Sequence, residues 1–77
     1  MNIFGIDKKG NKIKYDVIMT FKGSSDFVIY TDNVVDDNDN LKVYSAVYDP
    51  KTNLIIRQVS SKKELEEVKE AFESAII

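Results

Sequence analysis

The chain has no cysteine and no histidine, and only three glycines and one proline among its 77 residues. Without cysteine there is neither a disulfide framework nor a thiolate metal site, which favours a cytoplasmic setting. Without histidine or cysteine, the side chains that most often carry proton transfer and nucleophilic attack near neutral pH are missing. The glycines, Gly5, Gly10 and Gly23, are isolated from one another, so no glycine-rich loop is available to cradle a phosphate. No run of about 18 apolar residues exists that could span a bilayer. The start, MNIFGIDKKG, lacks the basic segment and apolar core of a signal peptide, so a soluble chain with no membrane association is expected.

Eleven Lys and Arg oppose thirteen Asp and Glu, a formal charge of −2, too near neutrality to steer the whole molecule toward nucleic acid or anionic lipid. The distribution is uneven. Residues 1–25 carry five lysines, Lys8, Lys9, Lys12, Lys14 and Lys22, whereas residues 26–40 carry five aspartates and no base. One small domain spanning 1–77 is expected, with no linker or repeat, hiding about 60% of its unfolded surface.

The chain is organised around Asp26–Asp32, DFVIYTD, where Phe27, Val28, Ile29 and Tyr30 put apolar groups on both sides of an extended backbone. Such a strand belongs in the middle of a sheet. Before it, residues 2–6 and 12–22 flank a hairpin signal at Asp7–Asn11 with Gly10 at the left-handed position. In KIKYDVIMTFK, Ile13, Tyr15, Val17, Met19 and Phe21 alternate with polar residues, Ile18 being the exception. After it, Thr31–Asn40 is a loop dense in Asp and Asn, and Leu41–Asp49 and Leu54–Val59 are two further strands joined by a turn at Pro50.

Ser61 followed by Glu64 is a capping box that opens a helix over Ser61–Ile76. Leu65, Val68, Ala71, Phe72, Ala75 and Ile76 fall within about 140° of arc on its core face. The expected fold is α+β, a five-stranded antiparallel β-meander with one C-terminal α-helix packed on one face. Tyr44, Ala46 and Tyr48 are expected beneath that helix, Ala46 leaving a groove for Phe72. Val43, Ser45 and Val47 then lie on the opposite face of the sheet.

Motifs for chemistry fail one by one. Asp36, Asn38 and Asn40 occupy the first, third and fifth positions of an EF-hand-like series, but Leu41 and Val47 stand where a glycine and a bidentate glutamate are required. Asp32, Asp36, Asp37 and Asp39 are left as an adventitious cation site or a solvated loop. Ser24 and Ser25 have no base beside them, and Glu66 and Glu70 face solvent on the helix, so the chain is not expected to be an enzyme and no cofactor is implied. Tyr15, Tyr30, Tyr44 and Tyr48 with Lys12, Lys14 and Lys42 could stack and pair with single-stranded nucleic acid. The period of strand two sets Tyr15 apart from Lys12 and Lys14, which favours core tyrosines.

The order of segments carries a resemblance: a first hairpin, a central strand ending YTDN (Tyr30–Asn33), an acidic loop, VYSAVYDP (Val43–Pro50), and a Val-Ser-Ser entry to the helix. In this the chain resembles the YrzB-like family of small uncharacterised proteins from low-GC Gram-positive bacteria, over nearly its whole length. It departs from that family at Lys62 and Lys63, where members often carry an acidic residue. The resemblance transfers no catalytic or binding residue. It implies a setting in nucleic-acid metabolism, because members are often encoded beside a Holliday-junction-resolvase-like nuclease.

Two functions stay open. In the first, the protein is a small non-enzymatic binding or regulatory module acting through a protein partner or a homodimer, with Ile18, Val43, Val47 and Ile55 as the interaction face left bare by the helix. In the second it is an accessory to nucleic acid, using its basic strand residues and tyrosines.

Overall fold

A computed structural model describes the fold of residues 1–76 and the side chains of residues 1–74. Five strands, β1 (Asn2–Ile6), β2 (Lys12–Lys22), β3 (Asp26–Thr31), β4 (Tyr44–Asp49) and β5 (Leu54–Gln58), precede one helix, α1 (Lys62–Ile76). Each strand pairs antiparallel with the next. The sheet does not stay open as the meander was expected to: β1 also joins β5, and the five strands close into a barrel. Hairpin connections reverse direction at every step, so the first and last of five strands run the same way and the closing pair must be parallel. Phe4 sits opposite Leu54 there, and its N–H donates to the Asn53 carbonyl at 2.9 Å.

Two irregularities bend the sheet enough to close. In β2, Val17 pairs with Tyr30 and Met19 with Ile29, leaving Ile18 without a partner. In β5, Ile55 pairs with Tyr48 and Arg57 with Val47, leaving out Ile56. A bulge adds one residue to one strand and so inverts which face its later residues occupy. Thus Tyr15 and Val17 point into the barrel, while Met19 and Phe21 point out. Half-burial alternates through Phe21 as expected, but the single shared face expected for these residues holds only as far as Val17.

The interior holds Ile3, Val28, Tyr30, Ala46 and Tyr48, with Tyr15, Val17 and Ile55 against them. The outer set of β3 and β4, Phe27, Ile29 and Val47, is buried as well, beneath α1. This corrects the expected orientation of the sheet: Ala46 and Tyr48 fill the lumen, and the valine side of β4 meets the helix. In an open sheet only one face of β4 needed a cover, whereas in a barrel the inner face must be filled by bulk, and the tyrosine side supplies it.

The helix begins as expected at its cap, the Glu64 N–H donating to Ser61 Oγ at 3.1 Å. Its roll about its own axis differs. Glu64 is buried at 8% exposure and Val68 and Ala71 are half-buried, but Leu65 is 51% and Phe72 37% exposed. Two carboxylates account for this. Glu64 takes a two-pronged bond from Arg57 of β5 at 2.9 and 2.7 Å, and Glu67 accepts the Ser24 N–H at 2.9 Å and its hydroxyl at 2.6 Å. Both bonds draw the polar flank of α1 onto the barrel and leave Leu65 and Phe72 overhanging it. Ala75 and Ile76, also assigned to the core face, lie outside the residues whose side chains are described.

Candidate functional site

The four residues proposed as an interaction face are separated by the barrel. Val47 is buried under α1, and Ile55 packs against the interior cluster while its exposed part lines a separate cleft with Ile6, Ile13 and Ile56. Ile18, on the β2 bulge, and Val43, just before β4, are exposed. Val43 belongs to an apolar surface shared with the helix.

That surface is a groove of about 370 Å³ between α1 and the start of β4. Ile29 and Ser45 form its floor, Val43 and Tyr44 one wall, and Leu65, Val68 and Phe72 the other, with Lys69 at the rim. Its geometry follows from the chain upstream. The segment Leu41–Val43 leaves the sheet, anchored by the Lys42 N–H to the Val34 carbonyl at 2.9 Å and by Thr31 Oγ1 to the Lys42 carbonyl at 2.7 Å. β4 therefore begins at Tyr44 rather than Leu41, and the sheet is too short there to cover the outer half of the helix. Among the described residues one ion pair forms, Arg57 with Glu64, so the Lys69 ammonium is uncommitted.

Tyr44 also bounds a second depression, of about 360 Å³, at one end of the barrel, where Tyr15, Tyr30, Asp32 and Gln58 complete the lining. The bulged register brings these residues together. Tyr30 and Tyr44 are directly opposed across β3 and β4, with ring centroids 5.6 Å apart, and Tyr15 of β2 stands 4.9 Å on the other side of Tyr30. Gly5 makes room, because a Cβ there would meet the Tyr15 ring at 3.1 Å. Gln58 Nε2 donates to the Tyr30 hydroxyl at 3.0 Å, and the Tyr44 hydroxyl donates to Asp32 Oδ2 at 3.2 Å. Burial raises the Tyr30 hydroxyl above its ordinary pKa, with help from neighbouring Tyr15 and Asp32. Partial burial and the Asp32 carboxylate raise that of Tyr44. Both phenols stay protonated, as donors, through the neutral range.

None of Lys12, Lys14 and Lys42 lines this tyrosine pocket. Lys12 instead holds its ammonium 4.5 Å from the centre of the Phe4 ring. Two aspartates of the loop, Asp32 and Asp36, bond the backbone. Asp36 Oδ1 accepts from the Asn38 and Asn40 N–H groups, at 2.9 and 3.0 Å, and Asp32 Oδ1 from the Val34 N–H at 3.0 Å. Among the described residues no three carboxylates converge as a metal site would require.

Tyr15, Tyr30 and Tyr44 were visible in the sequence as aromatic strand residues, but their convergence with Gln58 was not. Strict alternation along β5 puts Gln58 on the same side as Ile56, and the bulge turns it inward beside Ile55. Leu65 and Phe72 were legible as the apolar stripe of a helix, and only the roll of α1 shows that they are half uncovered. Among the described residues no helix is long and apolar enough to cross a membrane. Comparison with protein-family models, with curated proteins and with solved structures found no match to this chain.

Proposed function

We propose that the protein is a non-enzymatic binding module that receives a segment of another protein in the groove between α1 and β4. The observation that carries this is the exposure of Leu65 and Phe72, 51% and 37%, on the apolar stripe of a docked helix. An amphipathic helix normally closes its stripe against the sheet it covers, and two large side chains held beside Val43 and Tyr44 make a continuous apolar recess rather than scattered exposure. The occupant is an apolar segment with a carboxylate at one side, since Lys69 is the charged residue of the lining and forms no ion pair among the described residues. A reading without catalysis is supported by where the perturbed acids lie: Glu64 and Glu67, both held below the usual carboxylate range, are consumed in fastening the helix.

The test compares capture of cellular proteins by the unaltered chain, by Leu65→Lys and Phe72→Lys, and by Ile56→Lys, which alters an exposed site away from the groove. Groove binding is shown by a protein retained by the unaltered chain and by Ile56→Lys and lost at least tenfold by both groove variants. Equal retention by all four, or salt-sensitive nucleic acid in place of protein, refutes it. Sedimentation of the isolated chain identifies a second copy as the occupant if association is lost in the same two variants.

A further inference from the structure

The pocket beside the groove has a composition that selects a ligand class. Its five lining residues offer one carboxylate, one carboxamide, three phenol rings and no cation. Around it, Asp16 holds the Asn33 side chain at 2.7 Å, and the loop beyond Asp32 adds Asp36, Asp37 and Asp39 with no base before Lys42. Lys8 and Arg57 line the adjacent cleft on the far side of Tyr30 and Gln58. Arg57 is neutralised there by the two hydrogen bonds it donates to the Glu64 carboxylate. An anion is therefore disfavoured in the tyrosine pocket, and a cation that brings its own donors is favoured.

The shape narrows the class. The three rings stand in a row, Tyr30 stacked on Tyr44 at 5.6 Å between centroids and Tyr15 tilted by 47° against Tyr30 at 4.9 Å, so they form a wall and not a three-sided cage around a sphere. A compact trimethylammonium would touch one ring, whereas a planar guanidinium can lie flat against the exposed ring of Tyr44. The same plane carries donors at its edge for oxygens that still have capacity to accept. Asp32 uses one oxygen for the Val34 N–H and the other for Tyr44, each with a lone pair to spare, and the Gln58 amide oxygen has only a 3.5 Å contact to Tyr30.

We infer that the pocket of Tyr15, Tyr30, Asp32, Tyr44 and Gln58 binds the guanidinium of an arginine on the same partner segment that fills the apolar groove. The inference rests on the groove reading for the identity of the partner, because Tyr44 is the wall common to both recesses. A segment laid across Tyr44 puts apolar side chains on the α1 side and the arginine on the barrel side.

The test follows the side-chain and backbone resonances of the pocket by NMR while N-acetyl-arginine amide, and separately N-acetyl-citrulline amide, is added at millimolar concentration. Citrulline keeps the shape and removes the charge. The expected result is saturable shifts of Tyr15, Tyr30, Tyr44 and Gln58 with the arginine compound only. Asp32→Asn, which keeps an oxygen for the Val34 N–H, should weaken them about tenfold, and Tyr44→Leu should weaken them as well. Equal shifts with citrulline, no shifts with either compound, or full binding by Asp32→Asn overturns the assignment. Pocket shifts without groove-dependent protein capture refute the groove and leave a site for free guanidinium compounds. Capture that survives Asp32→Asn with no arginine shifts refutes the pocket alone.

Discussion

At the scale of single residues, much of the loop structure comes from one device used repeatedly. Asp7 accepts the Lys9 and Asn11 N–H groups on one carboxylate oxygen, both at 2.9 Å, and Gly10 takes φ of 83°. Asp36 does the same for Asn38 and Asn40, with Asp39 at φ 61° where the first turn has glycine. A short acidic side chain that bonds its own backbone is what makes Asp-rich segments turn. The acidic loop is therefore built first as a hairpin tip, with the Asp36 carboxylate spent on its backbone. Asp36→Ala removes the one oxygen that accepts two backbone bonds and is expected to cost about 1–2 kcal/mol in a urea melt, while Asp37→Ala, whose side chain has no such bond, stays within about 0.5 kcal/mol. Gly23 shows the other residue-level constraint. A Cβ at that position would lie 2.7 Å from the Glu67 carboxylate, so any other residue there would displace that carboxylate from its present position against Ser24.

At the scale of elements, the helix is held by polar bonds on one flank and by partial apolar contact on the other. Hydrogen bonds from Arg57 bring the Glu64 pKa down to about 2, with its Ser61 contacts adding to the effect against the penalty of burial. Ser24 lowers that of Glu67 in the same direction. A carboxyl whose pKa is depressed on folding stabilises the fold fully above its unfolded value, near 4.5. The contribution shrinks as the pH falls through that value toward about 2, because the unfolded chain then takes up the proton first. Helix docking should accordingly weaken between neutral pH and about pH 3, seen as earlier loss of far-ultraviolet ellipticity in denaturant. Arg57→Ala should reduce stability at neutral pH and flatten this acid dependence. An unchanged pH profile in that variant would assign the acid response to other groups.

At the scale of the whole molecule, closure of the barrel gives both faces of β3 and β4 an apolar cover, the lumen on one side and α1 on the other. Val47 and Val43 are two residues with the same side chain, four positions apart, and only the first is enclosed, at 8% exposure. Val47→Lys puts an unpaired charge beneath the helix and is expected to cost on the order of 3 kcal/mol or more. Val43→Lys should leave the melt within about 0.5 kcal/mol of the parent and act on partner capture through the groove. If Val47→Lys is silent in a melt, the valine side of β4 is not beneath α1.

The sequence alone determined five strands, their chain order, the hairpin at Gly10 and a capped C-terminal helix, because each is written in local chemistry: periodicity, turn residues and an N-terminal serine. It also marked Phe27–Tyr30 as a strand buried on both faces, which holds. What it did not determine is every feature that depends on which way a strand faces. One unpaired residue, Ile18 in β2 or Ile56 in β5, inverts everything after it, and both look in the sequence like ordinary apolar strand residues. Closure, the filling of the lumen by Ala46 and Tyr48, the roll of α1 and the meeting of Tyr15, Tyr30, Tyr44, Asp32 and Gln58 were decided by the tertiary structure. Each requires contacts between residues distant in the chain, whose register is set by bulges and long-range hydrogen bonds rather than by the period of any one strand.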